Sequence, residues 1–537
     1  MAQGAVGPLG ESRPLVSRPL FTLYKDRFLG QNSLMTISME EENRKVKNGR
    51  KMCGSMREFI DELEAHGKLH RVSKEVDPSW EISCMARWIY QGFPMEERFG
   101  LLFENVKGSS MAVATPLIGA SRQVYARALG TTPEKIHEVW LQALRQPIAP
   151  KEVKSAPAQE VVIGKGEIDL SYLPVPIWTP GKDRRPCITA CVITKDKNTG
   201  VQNMGTYRCQ VQSKNRITLN TNPGRQAYEN YQTYAVNGEP APVAVAICCE
   251  PAVHMATAAA LPKGIDEITA AGGLKGAPVE MVRAKTSDLL VPAQAEIVVE
   301  GEIHPTGRMK EDAFGEFAGY MGPVGDRPFF DVQCITHRKD PIYYGYLSQH
   351  PPSESTLIQG QANECVIHKL LVDDWSEPTV VDVALNQTHG GLLGSVVIQM
   401  DPTYPGHAKR VGRLVAEMGV FFKTVMVVNS DIDIRHQQHL DWMMNSRVNP
   451  ERDLVIIKDV YQIYDPSAVD GMGSKLVIDA TESGSEPNLS LPPKDLFYKG
   501  YESWKEAGLP DFEPPHWMER LLDYHAERME ALEKEKD

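Results

Sequence analysis

The stretch over residues 158–340 constrains the fold most, because short apolar runs alternate there with turn residues. The β-like runs are residues 188–194, 206–211, 243–249, 295–299 and 330–336. Runs of this length, separated by Gly, Pro and Asn, predict a β-barrel or a β-sandwich. A single inserted helix is predicted at residues 251–261, which are rich in small side chains. We therefore expect a mainly β domain over residues 158–340.

The region before this domain has the mixed pattern of an α/β fold. Ser55 and Glu58 have the spacing of a capping box, and Gly67 is placed to end the helix that follows. The fold is therefore expected to begin near residue 55. An N-terminal α/β domain is predicted over 55–157, with the Pro-containing stretch 147–157 as its boundary.

The region after the β domain alternates strands and helices. Apolar strands are predicted at 396–400 and 425–428, and helices at 406–418 and 436–444. This alternation favours a parallel sheet with crossover helices, in a C-terminal α/β domain over 341–500.

The last segment, 501–537, is predicted to contain an amphipathic docking helix. Its apolar stripe is Trp517, Met518, Leu521, Leu522, Met529 and Leu532. Two positions are open for this helix: a neighbouring subunit or its own domain.

Composition excludes several classes of protein. The chain has 537 residues, a net charge of −12 and no long basic run, which argues against a nucleic-acid partner. No apolar segment approaches the roughly 20 residues needed to span a membrane. The nine cysteines form no CxxC pair, so we expect reduced thiols and a cytoplasmic protein. Cys187 and Cys191 are expected on one face of a strand as buried thiols.

Residues 1–54 are basic and lack the apolar core of a secretory signal. We interpret them as a flexible tail. Two alternatives are translation that begins at Met35, Met39 or Met56, and a transit peptide.

An acidic stretch is the first candidate site. Glu311, Asp312 and Glu316 lie within six residues, beside Phe314 and Phe317. Aromatic rings that exclude water around a carboxyl group favour its use as a general acid. The alternative is an acidic surface turn.

A second candidate lies upstream, where Asn203 precedes Arg208 by five residues. Arginine binds a carboxylate or a phosphate through two parallel hydrogen bonds. A continuous strand would point these two side chains to opposite faces, so we expect a turn at Gly205. The alternative is a surface pair between Arg208 and a glutamate.

Two weaker signals concern a metal and a phosphate. Asp266 and Glu267, together with Asn203, offer oxygen ligands for a hard divalent cation, although carboxylates also favour helix starts. Lys409 follows Gly406 in the first turn of a predicted helix, where N–H groups and an ammonium can bind phosphate. A basic helix face is the alternative. No Walker spacing, GxGxxG, GxSxG or HExxH is present.

Taken together, these segments resemble the UbiD family of reversible decarboxylases, which use prenylated FMN. The resemblance runs from about residue 56 to 481. Its motifs, in family order, are residues 203–208, 266–267, 311–320, 404–411, 431–434 and 473–481. It implies an N-terminal α/β domain, a central split β-barrel that binds flavin, and a C-terminal α/β oligomerisation domain with a terminal docking helix.

The resemblance also implies roles for individual residues. Arg208, Glu311 and Glu316 match the catalytic network, with Arg208 holding the substrate carboxylate and Glu316 returning a proton. Asn203 and Glu267 match ligands of Mn²⁺, with K⁺ as a candidate second ion. The cofactor contacts are Thr206, Tyr207, Arg208, Asn220, Thr221, Asn222, Arg225, Gln226 and Lys409.

One departure concerns the metal. Many family members carry a histidine near residues 221–226, and this chain has none there. The third ligand is therefore open between Asn222, a water and the cofactor phosphate.

The expected activity is reversible, non-oxidative decarboxylation of an aromatic or α,β-unsaturated acid, or of an aryl-CoA carboxylate. The resemblance implies a flavin prenyltransferase as cofactor supplier and a homo-oligomer, either a dimer or a hexamer. Two rivals remain open. One is a non-catalytic flavin-binding scaffold subunit, and the other is a metal-dependent hydrolase that uses Glu267 and Glu311.

Overall fold

The computed structural model describes residues 52–262, 264–386, 394–419, 422–462, 465–484 and 489–534. Of the tail predicted over residues 1–54, residues 1–51 lie outside the described residues.

The secondary structure changes character twice along the chain. The first part contains α1 (Met56–Ala65), β1 (Leu69–Val72), α2 (Glu81–Gly92), β2 (Gly100–Phe103), β3 (Ala112–Ala114), α3 (Arg122–Ala128) and α4 (Ile136–Arg145). The middle contains β4 (Lys151–Val153), β5 (Val161–Gly164), β6 (Cys187–Lys195), β7 (Gln202–Ser213), β8 (Arg216–Leu219), α5 (Gln226–Ala235), β9 (Ala241–Ile247), α6 (Pro251–Ala258), α7 (Glu267–Lys275), β10 (Glu280–Arg283), β11 (Leu290–Pro292), β12 (Ile297–Ile303), β13 (Met309–Glu311), β14 (Gly325–Arg327), β15 (Phe329–His337) and β16 (Ile342–Tyr344). The last part contains α8 (Glu354–Lys369), β17 (Val380–Leu385), β18 (Ser395–Met400), α9 (His407–Ala416), β19 (Thr424–Val428), α10 (Gln437–Ser446), α11 (Pro450–Asp453), β20 (Leu454–Tyr461), β21 (Met472–Asp479), α12 (Lys494–Glu506) and α13 (His516–Lys534).

Helix α1 begins where the sequence predicts. The Ser55 hydroxyl accepts from the backbone N–H of Glu58 at 3.2 Å. The Glu58 carboxylate accepts from the Gly54 N–H at 2.8 Å instead of reaching Ser55, so only half of the capping box forms. Gly67 follows the helix with φ of +65°, which a glycine adopts without strain.

The middle part is a closed barrel, as expected. Its strand order is β12-β9-β6-β7-β8-β15, closed by the pairing of β15 with β12, while β5 adds to β15. Three helices (α5, α6 and α7) interrupt it, where the sequence analysis predicted one. The two extra helices were missed because neither has a strong apolar stripe.

The predicted turn at Gly205 is wrong. Gly205 pairs with Val192 in the register of β6 and β7, so the strand continues through it. A Cβ at Gly205 would lie 2.7 Å from the Tyr207 ring, so the glycine makes room for a neighbouring side chain. Cys187 and Cys191 lie on β6 and are buried, as predicted.

Two strand pairings of the middle part lie outside the barrel. Strand β4 lies inside the predicted boundary 147–157 and pairs in parallel with β10. After the barrel, β16 returns to a four-stranded sheet of order β1-β2-β3-β16. Strand β16 therefore ties the end of the middle part to the first part.

The last part is a five-stranded sheet of order β17-β18-β19-β21-β20. Only β18, β19 and β21 are parallel, and both edge strands are antiparallel to their neighbours. The predicted parallel arrangement is therefore confirmed for the three central strands and wrong for the two edge strands. Strand β20, for example, forms a hairpin with β21 without a crossover helix.

Helix α13 docks on its own chain. The Trp517 ring lies 5.3 Å from that of His436 and 5.1 Å from that of His439, measured between centroids. Leu521 and Leu522 are buried. Among the described residues, every helix is too short or too polar to cross a bilayer.

Candidate active site

Arg208 lies between two glutamates, Glu311 and Glu316. It projects from β7, Glu311 ends β13, and Glu316 follows in the next turn. The Arg208 Nε and Nη2 atoms donate to Glu311 Oε1 at 3.1 and 3.0 Å, and Nη1 donates to Glu316. The expected Arg208, Glu311 and Glu316 cluster is therefore assembled by strands distant in sequence.

The two acids differ in their surroundings. Glu311 is 1% exposed and also accepts from Thr218 Oγ1 at 3.0 Å and from Asn220 Nδ2 at 2.8 Å. The Glu316 side chain is 26% exposed, with Arg208 as its partner. Glu311 is thus held in place, while Glu316 has access to the open space beside it.

Arg208 remains charged in this position. Burial alone would lower its pKa, but Glu316 and Glu311 raise the pKa above its ordinary value. Its guanidinium also lies 5.2 Å from the centroid of the Phe314 ring. A permanent cation is therefore fixed beside the exposed acid.

The turn that carries Glu316 depends on Gly315. A Cβ there would lie 2.5 Å from Gln349 Cγ and 2.6 Å from Thr179 Oγ1. The Glu316 N–H donates to the carbonyl of Tyr320 at 2.8 Å, which closes the turn. A side chain at this position would therefore collide with two neighbouring segments.

A second glycine was missed by the sequence analysis. A Cβ at Gly322 would lie 2.6 Å from Glu316 Oε1. This backbone leaves the space that the carboxyl group occupies. Its position two residues after Tyr320 carried no signal that distinguishes it from an ordinary loop glycine.

Two adjoining cavities meet at Arg208 and Glu316. The inner cavity has a volume of about 230 Å³ and the outer cavity about 320 Å³. The predicted residues that line the inner cavity are Thr206, Tyr207, Arg208, Asn220, Thr221, Asn222, Arg225, Glu267 and Glu316. The outer cavity shares four of these, namely Arg208, Asn220, Asn222 and Glu316. The outer cavity lies within, and the inner cavity just below, the roughly 300–1,000 Å³ that is usual for small-molecule pockets.

The predicted metal ligands lie together. Asn203 Nδ2 donates to both Glu267 oxygens, at 3.0 and 3.2 Å. Asn203 Oδ1 is buried without a hydrogen-bond partner in the part of the chain that the structure describes. Burial raises the pKa of Glu267 to about 7. A half-buried carboxylate beside an unsatisfied amide oxygen is a donor set that suits a hard divalent cation.

The adjacent Asp266 has a structural role. Its side chain accepts from the Thr269 N–H at 2.9 Å and so caps α7. The helix-start interpretation is therefore confirmed for Asp266, and the metal-ligand role of Glu267 stays a prediction.

Two predicted cofactor contacts are not brought to either cavity. Lys409 Nζ donates to the carbonyl of Arg452 at 2.7 Å, on α9. Gln226 Nε2 donates to Asn230 Oδ1 at 2.8 Å, within α5. Neither lines the inner or the outer cavity. The signal behind Lys409 was a glycine before a basic helix, and that pattern fits its exposed ammonium equally well.

Other lining residues escaped the sequence analysis. Tyr346, Ser348 and Gln359 line the inner cavity, and Arg327 lines the outer one. The first three reach the site because β16 returns to the first sheet. The pairing of β16 with β3 cannot be predicted from the local sequence, because the two strands are far apart in the chain.

Known proteins match most of the chain. Three family models match consecutively: the N-terminal domain of 3-octaprenyl-4-hydroxybenzoate carboxy-lyase (UbiD) over residues 60–144, its Rift-related domain over 151–351 and its C-terminal domain over 357–480. The uncharacterised protein sll0936 of Synechocystis sp. is 33% identical over 459 residues, which span 80% of this chain and 90% of the relative.

Solved structures are similar over the same region. The evolved dimeric form of the UbiD-class enzyme HmfF from Pelotomaculum thermopropionicum, in complex with prFMN, is 33% identical with a TM-score of 0.73, covering 82% of this chain and 98% of the other. The closed form of vanillic acid decarboxylase from Sedimentibacter hydroxybenzoicus is 29% identical with a TM-score of 0.76, covering 85% and 99%.

Proposed function

Because the chain belongs to the UbiD family of carboxy-lyases, we propose that it catalyses reversible, non-oxidative decarboxylation of an aromatic or α,β-unsaturated carboxylic acid with prenylated FMN. The observation that carries the proposal is Arg208 between Glu311 and Glu316 where the two cavities meet. That arrangement offers a cation for a carboxylate and an accessible acid beside it.

Arg208 is the group that holds the substrate carboxylate. A guanidinium has five N–H donors, and the two glutamates engage three of them. The two remaining hydrogens, one on each Nη atom, suit a carboxylate oxygen. Because Glu311 binds Arg208 from the buried side, the guanidinium keeps its orientation when a substrate enters.

Glu316 is the group that returns the proton. Its carboxyl oxygen already touches Arg208, so an acid bound to Arg208 lies within reach of it. The outer cavity gives Glu316 a path to exchange protons with solvent. General acids that are positioned in this way contribute about 10²–10⁴-fold to rate.

The inner cavity is the site that we assign to the cofactor. When bound, prenylated FMN supplies an electrophilic ring that accepts the charge left by departing CO2. Thr206, Tyr207, Asn220, Thr221 and Arg225 line this cavity. Thr221 Oγ1 is buried without a partner in the described residues, as expected of a group that waits for a polar ligand.

We assign Asn203 and Glu267 to a divalent cation, Mn²⁺, which would offset the charge of the cofactor phosphate. The unsatisfied Asn203 Oδ1 supports this assignment. Asn222 does not suit the role of third ligand, because its Oδ1 already accepts from Arg327 Nη1 at 3.2 Å. A water or the phosphate then completes the set.

The hydrolase alternative is not supported. The Glu311 carboxylate accepts hydrogen bonds from Arg208, Thr218 and Asn220. The Glu267 carboxylate accepts from Asn203. The two carboxylates therefore serve separate networks.

The experiment is CO2 release from a panel of carboxylic acids by cofactor-loaded protein. Net release from at least one aromatic or α,β-unsaturated acid is expected. A loaded, folded protein that binds acids and releases no CO2 would favour the scaffold alternative.

A further inference from the structure

We propose that the substrate carries two carboxylates on one aromatic ring, and that Arg327 binds the carboxylate that is not removed. This inference rests on the proposed function, since it assigns the outer cavity to the substrate. It adds a specificity-determining residue to that site.

Arg327 is a second guanidinium in the outer cavity. It ends β14, and its Nη1 donates to Asn222 Oδ1 at 3.2 Å. Its Nε is buried and has no hydrogen-bond partner among the described residues. An unsatisfied, buried N–H on a charged group is costly, so a ligand acceptor is expected at this position.

Among the residues that the structure describes, no carboxylate oxygen lies within ion-pair distance (4.0 Å) of Arg327. By contrast, Arg208 in the same cavity is paired with Glu311 and Glu316. The uncompensated cation in the outer cavity is therefore Arg327, and an anionic group on the ligand would balance it.

Asp465 also lines the outer cavity but is already occupied. The Lys423 Nζ lies 3.0 Å from its Oδ2, and the backbone N–H and hydroxyl of Ser467 each donate to Oδ1 at 2.9 Å. These partners outweigh burial and lower the pKa of Asp465. Its charge is thus balanced without Arg327.

The two cationic groups are anchored close together. Asn220 donates to Glu311, which holds Arg208, and Asn222 accepts from Arg327. Residues two apart span at most about 7 Å of extended chain. The two asparagines that anchor the guanidinium groups are therefore close in space, and both arginines line the same outer cavity.

The wall between these anchors suits a flat, apolar ring. Phe317, Tyr320 and Met321 line the outer cavity beside Arg327. Aromatic and thioether side chains pack on ring faces and edges. The outer cavity therefore combines a ring-binding wall with one paired and one unpaired guanidinium.

The test compares matched acids that differ by one carboxylate on cofactor-loaded protein. The pairs are benzoate with benzene-1,4-dicarboxylate, and thiophene-2-carboxylate with thiophene-2,5-dicarboxylate. We expect a higher kcat/KM for a diacid than for its mono-acid. In R327Q the KM for the diacid should rise roughly tenfold to a hundredfold, because a charged hydrogen-bonded contact is lost.

The mono-acid is the internal comparison, since R327Q should lower kcat/KM for the diacid by a larger factor than for the mono-acid. R327K, which keeps the charge but not the fork, should show an intermediate KM. R308Q is the matched arginine control, because Arg308 is exposed and packs over Tyr231 away from both cavities. It should leave both acids unchanged.

Binding measured by calorimetry keeps this inference separate from the proposed function. Weaker binding of benzene-1,4-dicarboxylate to R327Q than to wild type supports the inference even if no acid releases CO2, an outcome that would overturn only the proposed function. Equal diacid binding by wild type and R327Q overturns the inference. So does an equal loss of kcat/KM for the diacid and the mono-acid.

Discussion

Arg208 donates through Nε and Nη2 to a single oxygen of Glu311, at 3.1 and 3.0 Å, and leaves its other terminal nitrogen to Glu316. The buried acid thus fixes the guanidinium, and the accessible acid shares it with the cavity. Variants of the two glutamates therefore test these roles separately.

Replacement of Glu316 with Gln should lower product formation by about 10²–10⁴-fold, because the amide cannot return a proton. Cofactor binding, followed by absorbance of the loaded protein, should persist. E302Q is a suitable control, since Glu302 is an exposed strand residue that pairs with Gln333. Full activity of E316Q would remove Glu316 from the mechanism.

Replacement of Glu311 with Gln should reduce both activity and stability. Removing one partner of a buried ion pair costs about 3–5 kcal/mol, and Arg208 would keep its charge. T218V removes only one hydrogen bond to the same carboxylate and should cost about 1 kcal/mol. Thermal unfolding of both variants checks the order, and an equal effect would argue that Glu311 does not compensate Arg208.

Replacement of Glu267 with Gln should abolish Mn²⁺ retention, measured as metal content after dialysis, and weaken cofactor binding at least tenfold. The adjacent D266N is the matched control, because Asp266 caps α7 and lies one residue away. It should cost at most about 1 kcal/mol of stability and leave metal content unchanged. Equal metal loss in D266N would contradict the assignment.

Replacement of Gly322 with Ala should displace the Glu316 carboxyl group, because the new Cβ would lie 2.6 Å from its Oε1. Activity should fall at least tenfold while the unfolding temperature changes little. G164A is the control, since no atom lies within 4 Å of a Cβ built there. Unchanged activity in G322A would show that this carboxyl position is dispensable.

Stability should depend on the protonation of Glu354. Burial raises its pKa from 4.5 to about 7, against the N–H donors of Leu117 and Gly119. The folded state therefore binds this proton more tightly than the unfolded state. The stabilisation is complete below pH 4.5 and is lost as pH rises to about 7.

The E354Q variant isolates this effect. The unfolding free energy of wild type relative to E354Q should fall across this window by on the order of 3 kcal/mol. Unfolding measured at several pH values checks it. A difference that rises with pH would reverse the assignment and mean that the hydrogen bonds outweigh burial.

Local patterns predicted the elements that carry their own signal. The Ser55 start of α1, the runs that became β6 and β15, and the acidic turn after β13 are all visible in short windows. Those runs predicted a barrel or a sandwich, and the UbiD resemblance favoured the barrel. The proposed roles of Arg208, which holds the carboxylate, and of Glu316, which returns the proton, came from the UbiD resemblance and not from a short stretch of sequence.

Features made by long-range pairing were not predictable from such windows. The antiparallel edge strand β20 and the return of β16 depend on partners far along the chain. Arg327 was missed for the same reason, because its cavity forms only when residues 220–222, 316–323 and 465–466 meet. Lys409 is the opposite case. Its local pattern predicted a phosphate site, but its ammonium donates to the carbonyl of Arg452 and lines neither cavity.

Exchange of labelled bicarbonate into an acid tests the central claim most directly, because it requires a carbon–carboxylate bond to break and reform on the loaded protein. A decarboxylase of the proposed kind should transfer ¹³C from bicarbonate into the carboxyl group of at least one aromatic or α,β-unsaturated acid. Protein that retains its cofactor and binds these acids, yet leaves every carboxyl group unlabelled, would contradict the account.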